Sequence, residues 1–114
     1  MAENKSDILQ GTLDLMVLKT LDAMGPMHGY GIARRIEQVG EEALMVNQGT
    51  IYLCLVRLVQ KGLIKAEWGT SENNRKAKFY SLSKSGHKQL IAETANWARV
   101  SGVIGRLLQL TARS

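Results

Sequence analysis

"NQGTIYLCLVRLVQKGLIKAEWGTSENNRKAKFYSL", residues 47–82, changes rhythm halfway along. In its first half Ile51, Leu55, Leu58 and Val59 fall on one face at helical spacing, and Asn47 stands before them with a side-chain oxygen suited to cap the first free amides. Gly62 closes this helix. Beyond it "LIKAEWG" and "AKFYSLS" alternate every second residue and are rich in aromatic and branched side chains, as strands are. Between them lies a polar turn in which Asn73 and Asn74 tolerate a left-handed backbone. The stretch therefore predicts a helix over about 47–62 and a β-hairpin over about 63–82, with Arg75, Lys76 and Lys78 crowded at the hairpin's tip. The hairpin is expected to bury Ile64, Phe79 and Leu82. The faces of Trp68 and Tyr80 depend on strand register, because a slip of one residue moves each to the other side.

Two further helices precede this unit. "TLDLMVLKTLDAM" places Leu13, Met16, Val17, Leu21 and Met24 on one stripe, and Gly25-Pro26 stops it, since proline disfavours helical geometry in the residue before it. "GPMHG" reads as a tight connection. In "YGIARRIEQV" Ile32, Ala33, Ile36 and Val39 can face inward while Arg34, Arg35, Glu37 and Gln38 face water, with Gly40 suited to end the helix; "EEALMV" has no clear period. The outer face of the third helix offers Gln48, Thr50, Leu53, Arg57, Gln60 and Lys61, a mixture able to hydrogen-bond to phosphates and base edges. Three helices followed at once by a hairpin with a basic tip is the order of a winged helix-turn-helix: a mainly α fold with a small β-hairpin, of the α+β class. Its third helix would enter the major groove of double-stranded DNA, and Asn74, Arg75, Lys76 and Lys78 of the hairpin, or wing, would lie beside it over phosphates or the minor groove.

Charge is consistent with that order. The chain has 114 residues, enough for one domain with a modest core, and a formal charge of +5. Residues 57–88 hold eight basic side chains against two acidic ones, whereas the remainder holds seven against eight. A basic stretch concentrated in one segment is the footprint of a polyanion-binding surface, although a solvated lysine-rich face has the same composition. The single cysteine, Cys54, cannot form an internal disulfide, and His28 and His87 have no ligand spacing to it or to each other, so neither a metal nor another cofactor is expected. No apolar run reaches the roughly 20 residues of a membrane span, and "MAENKSD" lacks the order of a signal peptide. A cytoplasmic protein is expected. An enzyme would need Cys54 as nucleophile with His28 or His87 as base, yet Cys54 falls toward the inner side of its helix, and no phosphate loop or carboxylate pair is present. A winged helix can also serve as a protein-interaction or RNA-binding module, because fold does not dictate partner.

After residue 82 the pattern becomes helical again. Ser83 is placed to cap "KSGHKQLIAETANWARVSGVIGRLLQL", where Trp97, Val100, Ile104 and Leu107 recur at spacings of three, four and three, widened by Val103, Leu108 and Leu110. So long an apolar helix has little to cover in a domain this small. The division expected is residues 1–82 as the winged unit and 83–114 as a helix covered by a partner subunit, the alternative being that it packs back on the first helix.

In four blocks, "QGTLDLMVLKTL", "GPMHGYGIARRI", "GTIYLCLVRLVQKGLI" and "WGTSENNRKAKFYSLSKSGHKQL", the chain resembles the PadR family of transcriptional regulators across residues 10–90. The resemblance implies a homodimeric winged-helix repressor that dimerises through its C-terminal helix, here with Trp97, Val100, Ile104, Leu107 and Leu108. It implies that Thr50 and Tyr52, which match the family's Gly-Thr-Leu-Tyr stretch, lie at the recognition helix, and that Arg75, Lys76 and Lys78 match its basic wing. Tyr30, in a His-Gly-Tyr motif, is expected to be structural. Some members stack flat aromatic effectors on a tryptophan of the C-terminal helix, which makes Trp97 a candidate ligand platform. Leu53 stands where many members have proline, allowing an unbroken third helix; Cys54 replaces a small residue and Val59 a frequent glutamate.

Overall fold

The computed structural model describes residues 10–41, 43 and 45–112. The segment before residue 10 and the last two residues of the 83–114 stretch lie outside the described residues. Helix α1 (Gln10–Met24) buries Leu13, Val17, Leu18 and Leu21, so its stripe includes Leu18, while Met24 at its end is exposed. Gly25 ends it at φ +83, donating its N–H to the Leu21 carbonyl at 3.0 Å. The "GPMHG" connection contains a two-residue strand, β1 (Met27–His28), whose second residue caps helix α2 (Gly29–Val39): His28 Nδ1 accepts from Gly31 N–H at 3.0 Å. Ile32, Ala33 and Ile36 are buried as expected, but Val39 is exposed at the edge of the stripe.

Helix α3 (Gln48–Gln60) begins where Asn47 Oδ1 accepts from the amides of Gly49 (2.7 Å) and Thr50 (3.2 Å). It runs unbroken past Leu53. Its buried face is Ile51, Cys54, Leu55 and Leu58; Val59 is exposed instead, and Cys54 holds that side. Gly62 N–H donates to Val59 O and Leu63 N–H to Leu58 O, with Gly62 at φ +74, a paired C-terminal closure that requires a residue free to turn left-handed.

Strands β2 (Ile64–Thr70) and β3 (Lys76–Leu82) form the hairpin, and the sheet order is β1-β3-β2, all antiparallel. Ile64 pairs with Leu82, Ala66 with Tyr80 and Trp68 with Lys78. Directly opposed residues share a face, so Ile64 and Tyr80 enter the core. Phe79 does not. It lies half-buried on the other face beside Glu67, edge-on to His28 at 5.7 Å, because β1 supplies a partner that the hairpin alone lacks. Leu82 is half-buried and Trp68 exposed.

Helix α4 (Lys84–Leu108) is capped by Ser83, whose Oγ accepts from Gly86 N–H at 2.9 Å and donates to Gly62 O at 2.7 Å. Gly86 and Leu90 are its buried residues. The helix then extends past the core, and the molecule measures 62 × 34 × 22 Å. No described helix is long and apolar enough to cross a membrane.

Candidate nucleic-acid interface

The start of α3, the start of α2 and the outer half of the hairpin open into one groove of about 460 Å³. Gln48 and Tyr52 line it from α3, and Arg75, Lys76 and Lys78 line it from the wing. Each of these side chains is exposed. The hairpin turn is closed by Ser71 N–H to Arg75 O at 2.8 Å and Asn74 N–H to Ser71 O at 2.9 Å, with Asn74 at φ +60. Asn74 thus makes the turn while Asn73 and Ser71 border the groove. Among the described residues no ion pair engages Arg75, Lys76 or Lys78. Three cations without a carboxylate partner face one opening.

Aromatic side chains add a second character to this surface. Tyr52 is 59% exposed, and Tyr30, expected to be structural, is 61% exposed at the α2 side of the same groove. Its signal in the sequence was the tyrosine of "HGY", but helix periodicity alone could not distinguish an exposed first-turn residue from a buried one. Beneath them Tyr80 is buried, and burial, with the nearby Tyr52 adding to it, pushes its phenol above the ordinary value.

Not every expected contact residue joins the groove. Thr50 is exposed on the first turn of α3 and Lys61 caps its other end, roughly 20 Å from Gln48 at 1.5 Å per residue. Arg57 is turned inward. Its guanidinium pairs with Asp14 of α1, its Nε is buried without a partner among the described residues, and the same Asp14 carboxylate accepts from Cys54 Sγ at 3.2 Å. Burial, followed by this hydrogen bond, pushes the Cys54 thiol from 9.0 up to about 12, so it is no nucleophile at neutral pH.

A second surface involves other residues. α1, α2 and α4 border an apolar groove of about 940 Å³ that includes Leu15, Met16, Val39, Ile91 and Trp97. Trp97 is 53% exposed, and Val100, Val103, Ile104, Leu107, Leu108 and Leu110 beyond it are exposed as well.

Helices α1 to α3 with the hairpin define a winged-helix protein. The family model of PadR-like transcriptional regulators matches residues 17–92, and the chain belongs to that family. It is similar over 89% of its length to 97% of a transcriptional regulator from Clostridium thermocellum, at 27% identity and a TM-score of 0.79. A PadR-like transcriptional regulator from Bacillus cereus matches 90% of this chain over 97% of its own, at 27% identity and a TM-score of 0.77. An uncharacterized protein from Lysinibacillus sphaericus is 27% identical over 105 residues, 92% of this chain and 95% of that one.

Proposed function

We propose that the chain is a homodimeric, cytoplasmic repressor that binds a defined double-stranded DNA operator, with residues 1–82 as the winged DNA-binding unit and 83–114 as the dimerisation helix. The observation that carries this reading is the common groove into which Gln48 and Tyr52 of α3 and the unpaired cations of the wing open together. In this reading α3 enters the major groove, where Gln48, Thr50 and Tyr52 meet base edges and Lys61 meets a phosphate at the helix's far end. Arg75, Lys76 and Lys78 neutralise the adjoining backbone, and Asn74 shapes the turn that presents them. Arg57 is left out of the contact set because Asp14 already holds its charge.

Selection of bound genomic fragments by the purified chain tests the reading. The expected product is a recurring palindrome with half-sites about one duplex turn, roughly 34 Å, apart. Neutralising Arg75, Lys76 or Lys78 singly should weaken all duplexes alike and flatten the salt slope by about one unit, whereas changes at Gln48 or Thr50 should alter the preferred sequence. Absence of any enriched sequence, or binding indifferent to salt, would overturn it.

The effector side of the reading rests on Trp97 at the rim of the apolar groove. Two indoles brought together by a dimer axis could hold a planar aromatic compound, and such a compound releases DNA only if it prefers a dimer with the wrong spacing of recognition helices. Planar cationic dyes or phenolic acids should quench tryptophan emission in a Trp68→Phe background and lose that quenching when Trp97→Ala is added. Quenching that survives Trp97→Ala sinks this part.

A further inference from the structure

Trp68 occupies a wing position that the core-facing pattern of β2 assigns inward, yet its indole is largely exposed. The strand register puts Ile64, Ala66, Trp68 and Thr70 on one face with Leu82, Tyr80, Lys78 and Lys76 opposite them. That face changes character along its length. At its base Ile64 and Tyr80 are buried, and Tyr80 adjoins Ile51 and Tyr52 of α3 in the groove. Farther out the indole of Trp68 is 67% exposed, and Lys76 and Lys78 are exposed with it. Trp68 therefore lies on the side of the wing continuous with the outer surface of α3. Glu67, the acidic residue of β2, lies on the other face.

Lys78 Nζ stands 5.7 Å from the indole centroid, so a cation sits over one side of the ring while much of the ring remains in water. An exposed ring beside unpaired cations suits a partner that is anionic and has an apolar surface within a few ångström of its charge. The sugar-phosphate backbone of duplex DNA has both. We propose that Trp68 is a DNA-contacting residue of the wing. Its ring lies against deoxyribose beside the half-site, its Nε1–H donates to a phosphate oxygen, and Lys78 neutralises that phosphate. This rests on the duplex reading above.

The chain has two tryptophans, so Trp97→Phe, which keeps aromatic bulk at residue 97, leaves Trp68 as the sole emitter. Saturation with the duplex recovered by genomic selection should quench and shift that emission. In the otherwise wild-type chain Trp68→Ala should bind the same duplex about tenfold more weakly at an unaltered salt slope, because a neutral contact releases no counterion. Trp68→Phe should fall between, keeping the ring and losing the donor. Melting temperatures of both variants should match the wild type, since the indole is exposed. Unchanged affinity of Trp68→Ala, or emission indifferent to saturating duplex, overturns the inference while leaving the duplex reading intact. A wild-type chain that binds no duplex removes both.

Discussion

Asp14 and Arg57 are 43 residues apart in sequence and joined by a partly buried ion pair that ties α1 to α3. Removing one partner costs more than the pair contributes, because the other charge stays behind in a desolvated place. Asp14→Ala leaves Arg57 charged with its Nε already unpartnered, and should lower stability by about 3 kcal/mol, read as a lower urea midpoint at constant slope. Replacing Arg57 by Met in the same chain should recover much of that loss; no recovery would argue that the pair has no coupling. Cys54 shares the carboxylate and gives a pH prediction whose sign follows from the raised thiol. Below pH 9.0 the thiol is neutral in folded and unfolded chains alike; between 9.0 and about 12 only the unfolded chain ionises. Stability is therefore fully present below 9.0 and falls as pH rises, by about 1.4 kcal/mol per unit from this group. Cys54→Ser keeps a donor for Asp14 and does not titrate there, so its stability should decline less steeply over the same window. Parallel declines would assign the alkaline loss to other groups.

At the scale of elements, the close approach of α4 to the base of the wing depends on a glycine. A Cβ added at Gly86 would lie 1.9 Å from the Leu63 carbonyl oxygen, a backbone atom held by Ser83 N–H at 3.1 Å and unable to yield like a flexible side chain. Gly86→Ala should therefore cost about 3 kcal/mol or more, with α4 displaced from the hairpin, whereas Gly105→Ala, which meets nothing within 4 Å, should not destabilise the fold. Thermal melts of the two variants make the comparison. None of this closeness could be read from "SKSGHKQL", where Gly86 looks like an ordinary weak helix residue. What was legible locally was periodicity and capping: Asn47, Ser83 and Gly62 act where the sequence suggests, and the buried faces of α2 and α3 follow three-and-four spacing. The misreadings sit at stripe edges, such as Met24, Val39 and Val59, where a half-turn of helix decides between core and water. Phe79 stays out of the core, and Tyr80, whose face the sequence leaves open, enters it, because β1 is two residues long and exists only against β3. Arg57 looked like a surface cation because its partner is on another helix.

Across the whole molecule, α4 carries apolar surface far beyond the core it helps close. Past Leu90 the helix exposes Ile91, Trp97, Val100, Val103, Ile104, Leu107 and Leu108, and its inner part borders the groove against α1 and α2. A contiguous apolar surface of this kind on a folded chain marks an association site. In the homodimer proposed above, a second copy's α4 covers it, and a two-fold axis makes the same patch serve on both sides. Introducing a carboxylate at Ile104 or Leu107 would then require burying a charge without a partner, which association cannot compensate. Ile104→Asp and Leu107→Asp should each sediment as monomers at concentrations where the wild type is a dimer, with helical content unchanged because both positions are exposed within one chain. Duplex affinity should fall with them, since a single recognition helix reaches one half-site. Trp97 reports the same event in a Trp68→Phe background: its emission should be blue-shifted in the dimer and move to the red in either aspartate variant. A wild-type monomer with red-shifted Trp97 would leave the groove uncovered and would require operator binding by single chains, with no two-fold symmetry in the selected sequence.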